Sequence, residues 1–197
     1  MSNLFLYLII VLSAIVHEYA HAWTANQLGD PTARYAGRLT LNPLKHIDPF
    51  GTVILPLFLM WTGGIFIGYA KPVPFNPHNL RNPKRDIPLV AMAGPISNFL
   101  LAFIFAGFLR LSWFPQLIAL KPIFIMIILI NLWLGFFNLI PVPPLDGAKI
   151  IMFLGGAKWQ EWMIKMEQNP FLGIPIALLL AFVIIGPLVN LVMKILV

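Results

Sequence analysis

Residues 3–27 read NLFLYLIIVLSAIVHEYAHAWTANQ, an apolar run long enough to cross a bilayer as one helix. A hydrocarbon core about 30 Å thick needs roughly 20 residues at 1.5 Å per residue. Comparable runs follow at about residues 88–109, 122–140 and 171–197, with a fourth at 51–70. Backbone polar groups in lipid must be satisfied within the segment itself, and a helix does so. The expected fold is therefore an all-α membrane protein, a polytopic helical bundle of about five to six transmembrane segments. A single domain is expected over residues 1–197.

Composition agrees with that reading. Of the 197 residues 59% are hydrophobic and 10% charged, against roughly 25% charged in an ordinary soluble domain. The formal charge of +6 comes from Lys and Arg scattered among loops, without the dense basic block of a nucleic-acid surface. The expected partner of these charges is the lipid headgroup layer. Cysteine is absent, so any metal must be held by His, Asp or Glu. The opening MSNLF lacks the basic region of a cleaved signal peptide, and the first helix is expected to be retained.

Between the runs, "GDP" at 29–31 ends the first helix, since Gly29 can take a left-handed cap and Pro31 cannot continue a helix. Tyr35, Gly37, Leu39 and Leu41 alternate with polar positions, which predicts a small β-hairpin or strand near the membrane surface over Arg34 to Leu41. Pro56 and Gly63-Gly64 make residues 51–70 a candidate broken helix. Residues 70–87 are proline-rich and aperiodic, an irregular loop, and a half-helix is expected after Asp146. If all five long runs cross, six Lys and Arg fall on one side and seven on the other, which gives no orientation.

The first helix carries the chemistry. His17 and His21 lie four residues apart, one turn above each other on one helical face, with Glu18 adjacent. This H-E-x-x-H spacing lets two imidazoles share one ion and suits zinc, with a carboxylate beside it as general base. Chance matches occur in soluble proteins. In a membrane span, however, each ionisable side chain costs about 2.5 to 3.5 kcal/mol at the bilayer centre, which marks it as functional.

A third ligand must come from a short inventory. His46 and His78 read as loop residues, and Asp30, Asp48, Asp86, Glu161 and Glu167 lie in polar stretches where solvated charge is the ordinary explanation. Asp146 differs: it follows FFNLIPVPPL, where Pro141, Pro143 and Pro144 forbid regular helix directly after a span. Such backbone is tolerated at membrane depth where it lines a cavity, and it could aim a carboxylate at zinc. Asn138, eight residues earlier, could donate to an oxyanion. For Asn131 the expected role is interhelical hydrogen bonding, and Gly94, Pro95 and Asn98 of AGPISN are expected to serve close packing of the third span on the first.

Taken together, VHEYAHAW, GDPTARYAGRLTLNPLKHIDPFGT, GYAKPVPFNP, NLRNPKRD, MAGPISNFLLA and FFNLIPVPPLDG resemble the site-2 proteases, intramembrane zinc metalloproteases of peptidase family M50. The resemblance covers nearly the whole chain. It implies one Zn²⁺ per chain held by His17, His21 and Asp146, Glu18 as general base and Asn138 assisting the oxyanion. It further implies a transmembrane protein or peptide substrate, a prokaryotic cell membrane and a metal nearer the cytoplasmic face. PPLDG departs from the usual family form around the Asp, and the compact form without a PDZ or CBS module is expected. The rival reading is a metal-ion channel or transporter using the same ligands. For the protease, an extended substrate would pair with the strand at 34–41 or the loop at 141–144.

Overall fold

The computed structural model describes residues 3–54, 58, 71–111, 115–168 and 170–197. Helix α1 (Asn3–Gln27) is followed by a one-turn α2 (Thr32–Tyr35). The long α3 (Pro83–Arg110), a short α4 (Pro115–Ile118) and α5 (Lys121–Asn138) come next. α6 (Asp146–Leu154) and α7 (Ala157–Glu167) precede α8 (Pro170–Leu180), which passes through a π-helical step (Ala181–Ile185) into α9 (Gly186–Leu196). Four stretches are long and apolar enough to span a membrane: 4–27, 83–110, 121–138 and 175–196. The protein is an integral, multi-pass membrane protein. The expected broken helix at 51–70 lies largely outside the described residues.

α3 is the hub, packing most extensively against α5, α1 and α6. Small residues make that closeness possible: Ala102 and Ala106 are buried against Ile128 and Leu132 of α5, and a Cβ on Gly135 would meet the Phe99 ring at 2.7 Å. With lipid as solvent, such close backbone approach supplies the packing that apolar exclusion from water supplies elsewhere. The outward faces carry Leu4, Phe103, Ile104, Phe182 and Val183, all more than half exposed. That surface matches acyl chains.

One expectation is corrected here and one open question is answered. Residues 34–41 form no strand, and among the described residues there is none. Helix α2 ends in a left-handed Gly37 (φ 65°), Arg38 N–H returns to Ala33 C=O at 2.8 Å, and the Arg38 guanidinium donates to Lys45 C=O. Local carbonyls thus take the donors that a sheet partner would have needed, and the apolar alternation was a coincidence of a tight turn. The proposed substrate pairing with that strand goes with it.

The second finding concerns sidedness, which the sequence left open. Lys71 N–H donates to His46 C=O at 3.0 Å and Arg81 N–H to Leu28 C=O at 3.1 Å. Residues 28–54 and 71–82 therefore lie together at one end of the bundle. The seven Lys and Arg from Arg34 to Arg85 and the three from Lys149 to Lys165 share that end, leaving Arg110, Lys121 and Lys194 at the other. The even split inferred from the sequence becomes ten against three.

Asp30 and Asp86 are fully buried rather than solvated. Asp30 accepts from Thr32 N–H (3.1 Å), Asn76 N–H (2.7 Å), Asn79 Nδ2 (2.9 Å) and the Thr32 hydroxyl. It pins the 71–79 loop to the end of α1. Asp86 accepts from Asn82 N–H at the start of α3. His46 is also buried, donating through Nε2 to Thr40 C=O at 2.7 Å.

Candidate metal centre

The histidine spacing on α1 does what a helix requires of it: both rings project toward α3 and the first turn of α6. His17 Nε2 lies 3.1 Å and His21 Nε2 3.0 Å from Asp146 Oδ2, and the two Nε2 atoms are 3.0 Å apart. Residues separated by 125 positions in sequence so form one triangle of ligand atoms. His17 and Asp146 are 7% and 6% exposed, inside the protein where unpaired charge is costly.

The hydrogen bonds behind the triangle fix its chemistry. Ile127 C=O can only accept, so Asn131 turns Nδ2 toward it (2.9 Å) and also donates to Ser13 Oγ (2.9 Å). Asn131 Oδ1 must then accept from Asn98 Nδ2 at 2.9 Å. That leaves Asn98 Oδ1 facing His17 Nδ1 at 2.7 Å, so Nδ1 carries the proton. Val90 C=O does the same for His21 Nδ1, also at 2.7 Å. In the neutral rings both Nε2 atoms are consequently bare lone pairs turned on each other and on a carboxylate oxygen.

Three converging lone pairs repel unless a cation lies among them. Tetrahedral zinc at 2.0–2.1 Å holds its ligand atoms about 3.3 Å apart, close to the observed separations. Gly94 of α3 keeps the space open: a Cβ there would sit 2.4 Å from His21 Nε2 and 2.5 Å from His17 Nε2. The donor set, its tautomers and its clearance fit a zinc ion.

Glu18 and Asn138 line the same cavity, of about 200 Å³, with Pro72, Val73, Phe75, Pro144 and Lys149. Glu18 Oε2 accepts from Val73 N–H at 2.9 Å, so the proline-rich loop holds it beside the ligands without itself entering the triangle. Asn138 Nδ2 donates to Leu134 C=O at 2.9 Å; an amide NH₂ carries two donors, and this bond uses one. Lys149 Nζ approaches the second oxygen of Asp146 at 3.2 Å. Asp146 is placed by α6, whose Gly147 lies so close to α5 that a Cβ would meet Leu139 C=O at 2.3 Å.

All five residues singled out in the sequence converge, and Asn131 makes the interhelical bonds expected of it. Asn98, expected to serve packing, is fully buried and also hydrogen-bonds His17 Nδ1. Its position four residues after Gly94, itself against the histidines, was the available signal.

A bundle of membrane-spanning helices enclosing a His-His-Asp triangle beside the Glu18 carboxylate defines a membrane-embedded metallohydrolase. The chain belongs to peptidase family M50, whose sequence model matches residues 5–120 and 114–182. It is 40% identical over 177 residues to YwhC of Bacillus subtilis, covering 85% of this chain and 77% of that one. It is 34% identical over 138 residues to Rip2 of Mycolicibacterium smegmatis, covering 70% of this chain and 52% of that one. Both are carried under the name of candidate zinc metalloproteases. No solved structure matches. The protein is a zinc metalloendopeptidase of the site-2 protease family.

Proposed function

We propose that the protein cleaves peptide bonds within or beside transmembrane segments of membrane-protein substrates, with His17, His21 and Asp146 holding zinc. The observation that carries this is the triangle of bare ligand atoms, enclosed by spanning helices and bordered by Glu18. When bound, zinc supplies Lewis acidity that activates water near neutral pH and polarises a carbonyl.

This chain's own residues supply the remainder. Glu18 takes a proton from the attacking water and delivers it to the leaving amine. The Val73 N–H keeps that carboxylate oriented until substrate arrives. The second N–H of Asn138 stabilises the oxyanion. α1, α3 and α5 exclude lipid from the cavity, and the substrate's scissile stretch unwinds to expose its carbonyl. The end with ten Lys and Arg is cytoplasmic by the positive-inside tendency, which places the cavity toward that face of a prokaryotic cell membrane.

The test uses purified full-length protein, single-span substrates and a chelator. Glu18→Gln keeps zinc and abolishes cleavage, and chelation abolishes wild-type cleavage reversibly. Cleavage by Glu18→Gln at the wild-type rate contradicts the proposal. Metal flux without peptide cleavage would support a transporter instead.

A further inference from the structure

At the end of the bundle remote from the metal centre, three helices bring together three cations. Arg110 is in the last turn of α3, Lys121 opens α5 and Lys194 is in the last turn of α9. They border one cleft of about 470 Å³ whose walls are Leu109, Ile125 and Leu196. Arg110 Nη2 reaches Ile195 C=O at 3.5 Å, which leans the guanidinium across from α3 to α9.

Arg110 and Lys194 alone have an ordinary explanation, since cations favour helix C-termini and long side chains reach for headgroups. Lys121 does not. It stands at a helix N-terminus, where the dipole disfavours positive charge, with no acidic residue in that first turn. All seven acidic residues belong to the opposite end: Glu18 and Asp146 in the metal centre, Asp30, Asp48 and Asp86 in its loops, Glu161 and Glu167 on α7. A carboxylate at Val197, on the cleft's edge, would cancel one charge and leave an excess of positive charge.

From this we propose that the cleft binds the phosphate of an anionic phospholipid, with the three cations around the headgroup and Ile125, Leu196 and Leu109 along its acyl chains. The chemistry is that of a phosphate monoanion, and the apolar side chains of Leu109, Ile125 and Leu196 beside the cations select the lipid over free phosphate.

Native mass spectrometry of the full chain, equilibrated with phosphatidylglycerol and phosphatidylcholine in equal amounts, reads the preference directly. Wild type should retain phosphatidylglycerol over phosphatidylcholine by about tenfold. The triple variant Arg110→Gln, Lys121→Gln, Lys194→Gln should fall to parity; all three side chains are exposed, so packing is left intact. A control triple at the other end, Lys45→Gln, Lys84→Gln, Lys158→Gln, removes equal charge and should keep the preference. Loss of the preference in the control to the same extent, or its absence in wild type, overturns the proposal. Displacement of the lipid by millimolar inorganic phosphate would assign the cleft to free phosphate and overturn it too.

Discussion

Asn98 Oδ1 accepts the Nδ1 proton of His17 at 2.7 Å, across 81 residues of sequence. The bond fixes which nitrogen of His17 is left for a metal, and its own direction is fixed through Asn131 by a backbone carbonyl of α5. Residues behind metal ligands in this way typically contribute 10- to 100-fold to metal affinity. Asn98→Ala should therefore weaken zinc binding by about that factor, measured by competition with a chromophoric chelator. Asn131→Ala should weaken it less, since it acts one bond further away.

Gly94→Ala tests the clearance in front of the same rings. A methyl group 2.4–2.5 Å from both Nε2 atoms forces the rings or α3 to move, so zinc content and cleavage should fall together by about tenfold or more. Gly107→Ala, in the same helix with nothing within 4 Å of the added carbon, should leave both unchanged.

Lys149 also touches a ligand, yet should matter little to the metal. Its side chain is half exposed while it pairs with Asp146 Oδ1 at 3.2 Å, and pairs in that setting contribute about 0–1 kcal/mol. Lys149→Gln should weaken zinc by less than about fivefold, in the same chelator competition.

Asp30 gives a pH signature outside the spans. Burial alone would raise its pKa, but the Thr32 hydroxyl, Asn76 N–H, Asn79 amide and Thr32 N–H outweigh burial and hold it below the ordinary carboxylate range. A group depressed on folding adds stability above its unfolded-state pKa of about 3.9, lost as pH falls through the lower folded value. In thermal unfolding in detergent, wild type should exceed Asp30→Asn by a constant margin between neutral pH and about 5, narrowing below about 4.

Much of this was legible in the sequence. Asn3–Gln27 and the start of the half-helix at Asp146 could be read from apolar length, the GDP stop and the proline run, because helix limits are written locally. The ligand set was legible because few residues could serve: no Cys, four His and seven acids. What escaped notice depends on partners distant in sequence. Asp30 looks like a loop charge until Asn76 and Asn79 fold onto it. The alternation at Tyr35 to Leu41 carries no information about whether a second strand exists. Sidedness was not legible for the same reason, since only the bond from Lys71 to His46 shows that these two residues share one end of the bundle.

Zinc stoichiometry in ligand variants tests the central claim most directly. Elemental analysis of purified protein should find about one zinc per chain in wild type and in Glu18→Gln, and under about a tenth of that in His17→Ala and Asp146→Ala, since a three-ligand site does not survive the loss of one ligand. Full zinc occupancy in correctly folded Asp146→Ala would contradict the account.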